Sequence, residues 1–197
     1  FLKMLSADVA TTCAARLKNI ARRKDQLTGV NEFPNVHEGA VDLLAPARAL
    51  AQDNLFPPMR LAQAFEALRE RADAIAPRPR IYLATLGTAS DYTARAMFAK
   101  NVFEAGGIEA IMHEGGDLAA GFANSGAKLA CLCSSDTNYA EQALEAAGAL
   151  KAKGAMLYLA GRPGDLETTL KAAGCEHFIF AGCDLVETLN EALNMGH

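Results

Sequence analysis

From residue 80 onward the chain repeats one beat: a short apolar run, a turn, then a helical pattern. Ile81 to Leu86, Ile108 to Met112, Lys128 to Cys133, Ala155 to Leu159 and His177 to Phe180 read as strands. Helical patterns follow each: Ser90 to Glu104, Asp117 to Asn124, Asp136 to Lys153, Leu166 to Ala173 and Asp184 to Leu193. Strict alternation of this kind requires a parallel sheet covered on both faces and joined by right-handed crossovers. The third run is apolar throughout its centre, as a strand buried on both faces must be. The predicted core contacts are Tyr92, Ala96, Met97 and Phe103 on the first of these helices and Tyr139, Ala143, Leu144 and Leu150 on the third. About 118 residues, Arg80 to His197, suit an α/β doubly wound sheet of order 2-1-3-4-5, whose ligand crevice opens between the first and third strands.

That crevice is lined, on this reading, by Gly87, Thr88, Ser90 and Asp91 after the first strand and by Ser134 and Ser135 after the third. The loops after the fourth and fifth strands add Gly161 and Gly182. Each also has a plain structural reading. Asp91 lies three residues after Thr88 and suits a helix cap, as do Ser134, Ser135 and Asp136. Gly161-Arg162-Pro163-Gly164 lacks the spacing of a phosphate loop and reads as a turn. His113 sits on the rim beyond the crevice, and neither His37 nor His177 has a Glu or Cys at ligand spacing. No nucleophile-like set emerges, so no catalytic residue and no metal ligand is assigned.

The first 78 residues differ. Phe1 to Lys24 reads as one long helix, Gly29 to Phe33 as a short β-like centre, and Arg60 to Ile75 as a second helix; Leu43 to Ala51 takes no assignment. Such a segment makes a poor core alone. It suits the closing part of a larger domain or an arm packed on a partner. The chain opens on Phe1, as a processed chain or a fragment would.

A net charge of -4 and pI near 5.6 argue against nucleic-acid binding. The one basic cluster, Arg16 to Lys24, reads as a solvated or subunit-facing surface. No apolar run approaches the ~20 residues of a membrane span, and no secretory signal stands at the start. Five cysteines without pairing patterns suggest reduced thiols and a cytoplasmic setting. Cys131 and Cys133 share one strand face and read as buried small hydrophobes rather than metal ligands.

Two stretches, RIYLATLGTASDYTARAMFAKNVFEAGGIEA and AKLACLCSSDTNYAEQALEAAGALKAKGAMLYLAGRPGD, resemble the C-terminal domain of the small (beta) subunit of bacterial adenosylcobalamin-dependent methylmalonyl-CoA mutase. LTGVNEFPN resembles the segment closing that family's substrate barrel. The resemblance implies two parts. Residues 1–78 would be the end of a TIM-type barrel plus a helical connector. Residues 79–197 would be a flavodoxin-like, cobalamin-binding-like domain. It implies a heterodimer with a catalytic large subunit, in which adenosylcobalamin on that subunit supports interconversion of methylmalonyl-CoA and succinyl-CoA by radical chemistry.

In the family's catalytic subunit the first loop reads Asp-x-His-x-x-Gly, the His being the lower ligand of cobalt. Aligned on Gly87, those three positions carry Ala89, Asp91 and Ala94 here. The Ser pair is kept as Ser134 and Ser135. The Gly-Gly after the fourth strand becomes Ala160-Gly161, and the Gly-Pro-Gly after the fifth becomes Ala181, Gly182 and Cys183. The resemblance therefore implies a non-catalytic small subunit that stabilises the large one and holds no cofactor itself. The competing expectation is a ligand-sensing or binding module that reuses the crevice through Thr88, Ser90, Ser134 and Ser135.

Overall fold

A computed structural model describes residues 2–39, 44–45, 56 and 59–196. Most of the unassigned stretch Leu43 to Ala51 lies outside the described residues. Five parallel strands, β1 (Arg80–Thr85), β2 (Glu109–Met112), β3 (Leu129–Cys133), β4 (Met156–Ala160) and β5 (Cys175–Ile179), form one sheet of order β2-β1-β3-β4-β5. This is the doubly wound, flavodoxin-like order expected from the sequence. Central register pairs Leu83 with Cys131 and Cys131 with Tyr158.

Side chains alternate across each strand, so every strand feeds two cores. Ile81, Leu83, Cys131, Cys133, Tyr158 and Ile179 meet α2 (Gln63–Asp73), α3 (Ala89–Ala105) and α7 (Leu185–Met195). Tyr82, Ala84, Ala130, Leu132, Leu157 and Leu159 meet α4 (Leu118–Ser125), α5 (Asp136–Ala152) and α6 (Glu167–Ala172). A 3₁₀ turn, Gly164–Leu166, leads into α6, which shortens the helix expected from Leu166.

Two predicted core contacts are corrected. Met97 and Leu144 are exposed, at 50% and 42%. The residues facing the sheet are Ala96, Ala99, Val102 and Phe103 on α3, and Tyr139, Ala143, Ala146, Ala147 and Leu150 on α5. A helix presents one stripe to the sheet, and Met97 and Leu144 each lie about 100° round the helix from a buried alanine. β5 also starts two residues earlier than the apolar run suggested, at Cys175, because Glu176 sits in an exposed position of the same strand.

The N-terminal helix α1 (Leu2–Ala21) buries only Ile20 and Ala21. The turn after it is held by Asn31, which is fully buried. Its amide nitrogen donates to the carbonyls of Ile20 (2.8 Å) and Asp25 (3.1 Å), and its oxygen accepts from the Leu27 amide (2.7 Å). The β-like centre is reduced to one bridge between Thr28 and Glu32. Arg69 of α2 fastens this segment to the sheet layer. Its guanidinium donates to the carbonyls of Gly29 (2.9 Å), Val30 (2.7 Å) and Ala105 (3.1 Å). Asn101 of α3 adds a bond from the Phe33 amide (2.9 Å).

Candidate functional site

The crevice forms where β1 and β3 release their chains to opposite faces of the sheet: β1 leads into α3 and β3 into α5, on different sides. Gly87 turns the chain after β1 with φ +82°, a conformation a side chain rarely adopts. Thr88 is then the N-cap of α3. Its amide donates to Asp91 Oδ2 (2.8 Å), its hydroxyl donates to the same oxygen (2.6 Å), and Ser90 Oγ lies 2.8 Å from that hydroxyl. These hydrogen bonds from the Thr88 hydroxyl and amide hold the Asp91 carboxyl below its ordinary value against an opposing desolvation. Asp91 therefore serves its own helix terminus, as a negative group in the first turn should.

Across the crevice, Ser134 is fully buried. Its hydroxyl donates to the Leu86 carbonyl (2.7 Å) and accepts from Asn138 Nδ2 (3.2 Å). The Ser134 amide donates to the Tyr139 hydroxyl (2.9 Å). That hydroxyl lies 2.9 Å from the Leu132 carbonyl and 2.8 Å from the Ala160 carbonyl, tying β3 to β4 at their ends. Burial raises the Tyr139 pKa, so the hydroxyl stays protonated and able to donate. Ser135 is the N-cap of α5, accepting from the Asn138 amide.

Sequence reasoning missed Arg95. It leaves α3 one turn after Asp91, lies over the Tyr139 ring (5.0 Å to the centroid) and donates to Asp136 Oδ1 (2.7 Å). Burial is the largest single influence and works against its charge, but the interactions with Asp136 and Tyr139 together outweigh it and the pKa is raised. The only available signal was a cation at i+4 from Asp91 with an acid, Asp136, at the start of the helix after β3. The guanidinium reaches Gly161 after β4: a Cβ built there would stand 3.0 Å from Arg95 Cζ.

The crevice thus brings together Gly87, Thr88, Ser90, Asp91, Ser134, Ser135 and Gly161. Gly182 stands apart, lining a cavity of about 350 Å³ with Phe180, Cys183 and the basic turn that follows α1, Arg22 to Lys24. His113 is paired on the rim with Tyr82, whose hydroxyl is 2.5 Å from Nδ1. His177 stacks on Tyr158 at 4.9 Å. Among the described residues no group of three or more His, Cys, Asp or Glu side chains is placed to hold a metal, and no helix is long and apolar enough to cross a membrane.

The donor set does not fit a cobalt lower ligand. Asp91 offers a hard carboxylate oxygen where an imidazole nitrogen would be needed, and it is already bonded to Thr88. Ala89 has no group to orient an imidazole, a task that falls to a hydrogen-bonding neighbour in metal sites.

No family model matches the chain. Curated proteins do. A methylmalonyl-CoA mutase small subunit from Streptomyces virginiae is 44% identical over 195 residues, covering 94% of this chain and 30% of that protein. The small subunit from Propionibacterium freudenreichii subsp. shermanii is 37% identical over 190 residues, covering 92% and 29%. One from Porphyromonas gingivalis is 30% identical over 187 residues, covering 88% and 29%. The chain spans about a third of the length of these relatives. Over nearly its whole length, it is a homologue of one portion of the methylmalonyl-CoA mutase small subunits.

Proposed function

We propose that this chain is part of a non-catalytic small subunit of an adenosylcobalamin-dependent methylmalonyl-CoA mutase. On this reading it pairs with a catalytic large subunit in the cytoplasm and stabilises it. That subunit carries the cofactor and interconverts methylmalonyl-CoA and succinyl-CoA. Residues 1–78 are then the end of a substrate barrel with its connector, and residues 79–197 a cobalamin-binding-like domain without its cobalt ligand.

The observation that carries the reading is the state of Asp91. It stands where the related catalytic loop has its histidine, and its carboxylate is engaged by Thr88 at 2.6 and 2.8 Å. A residue bound to its own helix terminus supports a structural role for the loop. The exposed length of α1, with Leu2 and Met4 at 59% and 63%, supports association with further protein. The ligand-sensing reading gains no such support, since the polar groups it would use, Thr88, Ser90 and Ser134, bond to one another or to the backbone.

Two measurements test the proposal. Co-expression with a large subunit carrying the Asp-x-His-x-x-Gly loop should give a stable complex in equal proportion. Titration of this chain with cobalamin should leave the visible spectrum of the free cofactor unchanged. A spectrum of imidazole-ligated cobalt at submicromolar protein would refute the assignment.

A further inference from the structure

The two glycines of the crevice each face a side chain of this same protein. A Cβ at Gly87 would stand 2.2 Å from Asn138 Nδ2 and 2.8 Å from Asp91 Oδ2. A Cβ at Gly161 would stand 3.0 Å from both Cζ and Nη1 of Arg95. Each neighbour is the far end of a side chain that polar contacts place here. Asn138 is held by the Ser134 hydroxyl at 3.2 Å, and that hydroxyl is held by the Leu86 carbonyl. Arg95 is held by Asp136 at 2.7 Å and by the face of Tyr139.

We propose that the crevice is filled by the chain itself: Asn138 seated on Gly87 and Arg95 seated on Gly161 close the β1/β3/β4 edge. The absence of a side chain at these two positions lets those two residues lie against the backbone. The same lack of a Cβ would elsewhere admit a ligand. Asn138 and Arg95 are then positioning residues that clamp the loops after β1, β3 and β4, so a ligand entering here would have to displace both. This inference does not rest on the subunit assignment above, since it concerns only contacts within the chain.

Double-mutant cycles on unfolding equilibria test it. Gly87→Ala is measured in the wild-type background and beside Asn138→Ala, and Gly161→Ala alone and beside Arg95→Ala. The cost of forcing a side chain into a positive-φ position is common to both backgrounds and cancels. What remains is the collision with the seated residue. Gly87→Ala should lower the folding equilibrium constant about tenfold more in the wild type than beside Asn138→Ala, within the coupling range of touching residues. Gly161→Ala should be coupled to Arg95→Ala with the same sign but more weakly, its contacts being longer. If Gly87→Ala does not fold alone, recovery of folding on adding Asn138→Ala supports the proposal equally, and no recovery refutes it. Losses that simply add, within a factor of two in both cycles, overturn it.

Discussion

Replacing Tyr139 by Phe removes one oxygen from a buried junction and leaves the ring, and with it the Arg95 contact, in place. Tyr139 is 2% exposed. Its hydroxyl accepts from the Ser134 amide at 2.9 Å and shares one proton between the Leu132 and Ala160 carbonyls at 2.9 and 2.8 Å. Without the oxygen, the Ser134 N–H loses that acceptor in a place water does not reach, which costs about 1–3 kcal/mol. Losing the donated bond adds about 1 kcal/mol, because each carbonyl keeps a second lone pair and neither is stranded outright. The expected total is roughly 2–4 kcal/mol. For a chain of this size that is about a 4–16 °C drop in Tm, at ~2–4 °C per kcal/mol. Urea unfolding followed by far-UV circular dichroism measures it, and the slope m should not change, because the surface exposed on unfolding is unaltered. A loss below about 0.5 kcal/mol would refute the reasoning, since it would mean that water or another acceptor serves the Ser134 amide.

Acid should weaken the first loop through Asp91. Its folded pKa is lowered, so its contribution is complete above the unfolded value near 3.8 and is lost as the pH falls through the folded one. The urea midpoint should therefore fall between pH 5 and pH 3 more in the wild type than in Asp91→Asn, and equal falls would exclude the cap. Asn31→Ala should release the turn after α1 by unpairing three backbone groups. Limited proteolysis should then cut between residues 22 and 33 at rates well above wild type, while the sheet stays resistant. Thiol labelling should divide the cysteines. Cys13 and Cys183 are partly exposed and should react first, whereas burial lifts the Cys175 thiol to about 12 and raises Cys131 as well. Prompt labelling of all five in native buffer would contradict the core described above.

The strand order was legible because five apolar runs are separated by helices long enough for crossovers, and that alone admits few topologies. Most helix starts were legible for a local reason: Thr88, Asp117, Ser135 and Asp184 sit at the N-caps of their helices. The inward faces of the helices were not. α3 and α5 turn alanines toward the sheet, where bulky strand residues such as Tyr158 and Leu132 already fill the layer. Choosing the largest apolar residue therefore selected Met97 and Leu144, which lie beside the buried stripe. In the crevice, the departure from an Asp-x-His-x-x-Gly pattern could be read from Ala89, Asp91 and Ala94. What took its place could not. The reach of Arg95 to Gly161 joins residues 66 positions apart and depends on how α3 and β4 pack, which no local pattern encodes.

Arg69 gives the molecule a mechanical property. A load applied at the outer end of α1 would pass down twenty residues of helix and arrive at Gly29 and Val30. There the Arg69 guanidinium, with Asn101 beside it at Phe33, carries it to α2 and α3. Pulled along that axis, the chain should yield at this rivet before the sheet shears, because two hydrogen bonds from Arg69 hold Gly29 and Val30, whereas shearing a parallel sheet loads the hydrogen bonds of a whole strand at once. Substituting Arg69 by Met would leave the stem in place and lower the force at which the N-terminal segment detaches, a difference that single-molecule pulling from residue 2 would register as the loss of an early, separate step.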